Sequence, residues 1–168
     1  MKKVLLPLIC FALLAVSCRF DDDDNVDFDT IGQTFEISNV DFVSNNGFDA
    51  TVNVVVPNSI QVFESDVPLV FVLDPDATAA NGLDVFEPLP RTFFFNDGGF
   101  AQYRFNFIFD DETGVFDLDL VLESDDFDLL TNGFTQNQIF RIVIVPSAFA
   151  ESNDTSDLSA VLDALGLN

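Results

Sequence analysis

The stretch Tyr103–Glu123, YRFNFIFDDETGVFDLDLVLE, decides how the whole chain is read. Its first arm sets Tyr103, Phe105, Phe107 and Phe109 at every second position, and its second arm does the same with Phe116, Leu118, Leu120 and Leu122. Successive side chains of a strand point to opposite faces, so each arm carries one apolar face; a helix would need spacings of three and four. Between the arms, Asp110 to Gly114 is a polar turn closed by glycine. Aligning the two apolar faces puts Arg104 opposite Val121 and diagonal to Asp119 and Glu123, within reach of an ion pair.

The same alternation extends in both directions. Upstream, RTFFF (91–95) and NDGG (96–99) make a hairpin with the strand that holds Tyr103. Phe48, Ala50, Val52, Val54 and Val56 share a face, and SNNG (44–47) predicts a hairpin to an earlier strand over Gln33–Val43. In that earlier strand Phe35 and Ile37 are odd-numbered while Val40 and Phe42 are even, so a bulge is expected near Ser38-Asn39. PNSIQVFE (57–64) reads as a further short strand, and VPLVFVL (67–73) as a central one, apolar on both faces. DPDATAANG (74–82) reads as a loop. Its Asp74-x-Asp76-x-Thr78 opening resembles a calcium loop, but Val85 stands where the bidentate glutamate belongs and no flanking helices are expected.

Downstream, NQIFRIVIVP (137–146) is a last strand, apolar enough to be buried on both sides. TSDLSAVLDALG (155–166) then places Leu158, Val161, Leu162 and Leu165 at helical spacing, with Thr155 or Ser156 as N-cap and Gly166 as stop. That helix is expected to close one end of the fold. Eight or nine short strands in one domain imply an all-β, two-sheet antiparallel sandwich, Ig-like or jelly-roll-like, with a short C-terminal helix; a small closed β-barrel is the alternative. The 21 phenylalanines fall mainly at period two, which makes them core filling rather than a ligand surface. Without tryptophan, and with Tyr103 as the one tyrosine, the usual aromatic platform for sugars is missing.

The N-terminus has a different character. Met1-Lys2-Lys3 is followed by an apolar run, Val4 to Val16, and the small residues Ala15 and Ser17: an export signal, too short for the roughly 20 residues that cross a bilayer. Residues 1–17 are thus read as signal peptide, 18–30 as an acidic tether and 31–168 as a single β-rich domain. After cleavage before Cys18 the chain keeps four arginines and no lysine against 29 acidic residues, a formal charge of −25.

These absences exclude whole classes of chemistry. With no histidine there is no imidazole base or ligand, and with no lysine there is no Schiff-base nucleophile. A single mature cysteine closes no internal disulfide. A polyanion lacks the clustered cations that phosphate backbones require, so nucleic acid is not an expected partner. No catalytic residue, metal ligand or cofactor is expected. The one enzymatic form left is a paired-carboxylate hydrolase, and among 29 acids chance pairs abound.

Leu13 to Cys18, LLAVSC, resembles the lipobox of bacterial lipoproteins, with Ala15 where leucine is commoner. The resemblance implies that Cys18 is lipidated and becomes the first mature residue, and two or more acyl chains give stable anchoring where one does not. The run Asp21, Asp22, Asp23, Asp24 directly afterwards resembles the surface-export signal of Bacteroidota lipoproteins; a self-repelling tether is the plainer reading, and both can hold. The expected location is the outer membrane, lipid-anchored and cell-surface exposed, with the periplasmic face or secretion as alternatives.

VFEPLPRTFFF, YRFNFIFD, TQNQIFRIVIVPSAFA and the terminal helix together resemble small flavobacterial-type surface lipoproteins. That resemblance implies no activity. Proteins of this look sometimes carry the name dihydrolipoamide dehydrogenase, but the glycine-rich nucleotide turn and redox cysteine pair of such an enzyme are missing. The expected function is a non-catalytic cell-surface module in an interaction, adhesion or envelope-accessory role. A small-ligand or calcium-dependent binding module is the alternative. The expected partners are the membrane, through the acyl chains, and a protein or envelope component.

Overall fold

The computed structural model describes residues 32–96, 98–110 and 115–167. Eight strands form two antiparallel four-stranded sheets that pack face to face. One sheet has the order β1 (Gln33–Val40), β8 (Gln138–Pro146), β3 (Asp66–Leu73), β4 (Phe86–Pro88). The other has the order β2 (Asp49–Val54), β7 (Val115–Ser124), β6 (Phe100–Asp110), β5 (Arg91–Phe94). The architecture is the expected sandwich, and the sheets are open, so the barrel alternative does not hold. The first two strands pair with the last two, β1 with β8 and β2 with β7.

The β6–β7 register is the one the alternation predicts: Arg104 stands opposite Val121. Arg104 Nε lies 3.0 Å from Glu123 Oε2, while Asp119 accepts a hydrogen bond from Asn53 Nδ2 at 3.1 Å. The inner faces make the main core from Val70, Val72, Phe140, Ile142 and Ile144 on one sheet and Ala101, Tyr103, Leu118, Leu120 and Leu122 on the other. Fully burying each large apolar side chain contributes about 1.5–3 kcal/mol.

The bulge is present. Pairing between β1 and β8 shifts between Ile37 and Val40, and Asn39 takes a left-handed φ of 57°. Asparagine is one of the few non-glycine residues that adopts this conformation readily. It lets Phe35, Ile37 and Val40 all pack toward the core despite their mixed parity.

Other expectations are corrected. SNNG does turn the chain, with the Ser44 hydroxyl accepting from Gly47 N–H at 2.9 Å and Gly47 at φ 80°. The strands on either side nevertheless belong to different sheets, so β1 and β2 are not a hairpin. Phe42 directs the crossing: its N–H donates to the Thr135 carbonyl at 2.8 Å, and its buried ring sits 5.8 Å from Tyr103 and 6.2 Å from Phe140. PNSIQVFE forms no strand. Ile60 and Val62 pack against the core from an irregular segment held by paired hydrogen bonds between Gln33 and the Gln61 backbone.

DPDATAANG is a helix, α1 (Pro75–Asn81), and not a loop. Asp74 caps it by accepting from Ala77 N–H at 2.8 Å, Pro75 occupies its first turn, and Gly82 ends it at φ 72°. Cap, proline and glycine were all in the sequence, but seven residues without an apolar stripe gave no helical period.

The remaining α-helices among the described residues are α2 (Asn132–Thr135), α3 (Ser147–Ser152) and α4 (Leu158–Leu165), and a 3-10 turn spans Phe127–Leu129. Helix α4 is the expected terminal helix, but Asp157 caps it in place of Thr155 or Ser156, because Ser156 is engaged with Asp154 at 2.7 Å. It also lies across a sheet face and does not close an end. Leu158, Val161 and Leu162 pack on Phe71, Val143 and Val145, the outward-facing residues of β3 and β8. This explains why those two strands are apolar on both faces.

Candidate functional site

Cys18 and Asp21, Asp22, Asp23 and Asp24, the residues singled out by the sequence, lie outside the described residues. The calcium-like triad lies inside them, and two of its members have structural tasks, Asp74 as the cap of α1 and Thr78 as a partner of the chain that follows it. Asp74 Oδ1 accepts from Ala77, and the Thr78 hydroxyl accepts from Val85 N–H at 2.9 Å. Among the described residues no group of three or more histidine, cysteine, aspartate or glutamate side chains is arranged to hold a metal ion.

What the fold does assemble is a cleft of about 270 Å³ at one mouth of the sandwich. Strand β3 ends there at Leu73 and the chain passes through Asp74 into α1, while β8 begins there at Gln138. Phe93 and Tyr103 face the cleft from β5 and β6, Glu87 from β4, and Phe134 from α2. Glu87 is opposite Val72, which places it on the inner face of its sheet, and Arg91 is opposite Tyr103, on the inner face of the other. The Glu87 carboxylate and Arg91 Nε therefore join the two sheet edges as an ion pair. The Arg91 guanidinium also lies over the Phe93 ring, 4.7 Å from its centroid.

The aromatic walls are fixed by edge-to-face contacts. Phe93 meets Phe134 at 5.1 Å and Tyr103 at 6.2 Å between ring centroids. Tyr103 is buried, and its hydroxyl donates to the Phe134 carbonyl at 2.6 Å. Burial pushes its ionisation well above the ordinary tyrosine range, so it stays a neutral donor.

Gln138 completes the cleft and is only 9% exposed. Its Nε2 donates to the carbonyls of Gly133, at 2.9 Å, and Gln136, at 2.7 Å. Two carbonyl partners fix which end of the amide is nitrogen, and leave Oε1 with no hydrogen bond from the described residues. The sequence held a signal for it: Gln138 shares its parity with Phe140, Ile142 and Ile144, and is the one polar residue at an inward position of β8. Glu87 and Phe134 had no such signal, because a three-residue strand and a four-residue helix are too short to show a period.

Two further clefts are more open. One, of about 710 Å³, lies between the β5–β6 turn and the segment 124–134, with Asp125, Asp126, Phe95 and Phe134 among its walls. Asp125 has a structural task there, accepting from Phe100 N–H at 2.9 Å. The other, about 450 Å³, lies where α4 meets Phe86 and Arg141; Arg141 is paired with Glu36 at 2.6 Å. Among the described residues no helix is long and apolar enough to cross a membrane. Comparison with models of protein families, with curated proteins and with solved structures found no match.

Proposed function

We infer that this chain is a non-catalytic module held at the bacterial cell surface by acyl chains on Cys18, where its sandwich serves in interaction, adhesion or as an envelope accessory. The observation that carries the reading is the order of three sequence features: the apolar signal, LLAVSC ending at Cys18, and the acidic run Asp21–Asp24. A free thiol at an exposed terminus is reactive, and acylation removes that hazard while supplying the anchor. The chemistry of the rest agrees. In the clefts described above, Asp74, Glu87 and Asp125 each hold a capping hydrogen bond, an ion pair or a backbone amide, and no histidine or mature lysine stands beside them.

A second reading, a small-ligand binding module, is favoured by one observation, the partly enclosed mouth cleft with its unbonded Gln138 oxygen. The calcium-dependent form is less favoured, since Asp74 caps α1 and the Thr78 hydroxyl accepts from Val85 N–H.

Replacing Cys18 by alanine tests the anchor. The expected result is loss of acyl labelling and release of the protein from the membrane fraction; unchanged retention would overturn the anchor. Replacing Asp21 to Asp24 by alanine is expected to leave acylation intact and to hide the protein from protease added to whole cells. Undiminished digestion would reduce the acidic run to a tether.

A further inference from the structure

We propose that the mouth cleft is a recognition site for an organic cation, a primary ammonium or guanidinium on a short apolar stem, of the kind carried by the lysine or arginine side chain of a partner protein. The proposal rests on the interaction-module reading for its biological setting and on the cleft alone for its chemistry.

The polar groups facing the cleft have few donors to give and several acceptors to offer. Gln138 Oε1 accepts no hydrogen bond from the described residues, although its residue is nine-tenths buried. That oxygen is not among the enclosed unpartnered atoms, so it reaches water, and a ligand donor would take the water's place. Asp76 lines the same cleft and makes no hydrogen bond with the described residues, and Asp74 uses one carboxylate oxygen for its cap. Most side-chain donors are already engaged, the Tyr103 hydroxyl and both hydrogens of the Gln138 amide serving backbone carbonyls, which leaves the Thr131 hydroxyl. A donor-only ligand bearing positive charge matches this set, and ammonium and guanidinium groups are the donor-only cations of proteins.

The walls narrow the choice. Phe93, Tyr103 and Phe134 offer ring surface that attracts an organic cation and accepts its methylene stem. A hard metal ion instead needs six to eight oxygens closing on one point, and the carboxylates of this cleft are not arranged to hold one. An anion would meet Asp74, Asp76 and Glu87 against one arginine, Arg91, which Glu87 already neutralises. At about 270 Å³ the cleft is smaller than the roughly 300–1,000 Å³ of sites for drug-sized molecules, which suits one inserted side chain.

Among the described residues no cation is left over to fill the cleft. Arg91, Arg104 and Arg141 are each ion-paired, Lys2 and Lys3 lie inside the expected signal peptide, and Arg19 follows Cys18 directly at the anchored end, outside the described residues.

The test is a titration of the purified whole chain, isotopically labelled, with N-acetyl-lysine amide, N-acetyl-arginine amide, the neutral isostere N-acetyl-norleucine amide, and n-butylammonium. Binding of a cationic derivative is expected to shift the Gln138 side-chain amide and the Phe93, Tyr103 and Phe134 resonances, and to be about tenfold tighter than the neutral isostere. Asp76→Asn is expected to weaken it about threefold or more, while Asp163→Asn, which removes the same charge from the exposed side of α4, leaves it within about twofold. Tighter binding of the amino-acid derivatives than of butylammonium identifies a polypeptide as the source; equal binding identifies a free amine. Equal affinity for norleucine, shifts confined elsewhere, or equal loss in both variants would each overturn the proposal. Failure here alongside normal acylation and surface exposure removes the ligand and leaves the surface module; binding by a chain that proves unacylated and internal does the reverse.

Discussion

Tyr103 shows how one residue links core, cleft and pH response. Its ring packs between Phe42, Phe93 and Phe140, and its hydroxyl satisfies the Phe134 carbonyl. Replacing it by phenylalanine keeps the ring and strands that acceptor, so urea denaturation is expected to show a loss of about 1–3 kcal/mol. Because its folded pKa is raised above the unfolded value near 10, the contribution is complete below pH 10 and declines as the unfolded chain ionises above it. With one tyrosine and no lysine after Lys3, little else titrates there. Stability is thus expected to fall by up to about 1.4 kcal/mol per pH unit above pH 10, and Tyr103→Phe should flatten that slope. An equally steep fall in the variant would contradict the assignment. The Arg104–Glu123 pair, by contrast, is half exposed, and Glu123→Gln should change stability by about 1 kcal/mol at most.

Among the elements, β1 depends on its bulge and α1 on its caps. Asn39 holds a left-handed backbone that glycine adopts freely and a β-branched residue does not. Asn39→Gly is therefore expected to stay within about 0.5 kcal/mol of the parent, whereas Asn39→Val should cost about 1–2 kcal/mol. If valine is tolerated as well as glycine, the bulge is not what sets the β1–β8 register. Turn chemistry has a narrower reach. SNNG and NDGG have similar compositions, yet the second joins paired strands, β5 and β6, and the first hands the chain from one sheet to the other. The difference lies in Phe42, whose burial between the sheets draws the chain across. Nothing local to SNNG encodes that contact, because Tyr103 and Phe140 are distant in sequence.

At the scale of the molecule, the two sheets treat their outer faces differently. The sheet of β2, β7, β6 and β5 presents Thr51, Asn53, Gln102, Arg104, Asn106 and Asp119 outward, which is the alternation of a sheet with one wet face. The other presents Phe71, Val143 and Val145, and α4 covers them. Val161, 1% exposed, sits at the centre of that contact, so Val161→Asp is expected to cost at least about 3 kcal/mol by burying an unpaired charge. A near-neutral result would show that α4 is dispensable to the sheet. The net charge also acts on the whole: a polyanion repels itself, and raising salt from about 10 to 150 mM shortens the screening length from roughly 30 to 8 Å. The melting temperature should rise with sodium chloride, and calcium should add nothing beyond magnesium at matched ionic strength. A calcium-specific rise would restore the calcium-dependent reading.

Sequence alone determined whatever depends on neighbours along the chain. Period-two alternation over Tyr103–Glu123 dictates the hairpin and its register, the parity change at Ser38-Asn39 dictates the bulge, and the apolar runs of β3 and β8 require cover on both faces. The missing histidine, and lysine confined to Lys2 and Lys3, set limits on chemistry before any fold exists. Tertiary structure alone decided which strands become neighbours and which polar groups meet. Glu87 and Arg91 pair because two sheet edges converge, and Gln138 joins Phe93, Tyr103 and Asp76 because a mouth forms where β3 ends and β8 begins. Alternation assigns a side chain to a face, whereas a cleft arises from packing between faces, and that packing is set by contacts between residues far apart in the chain.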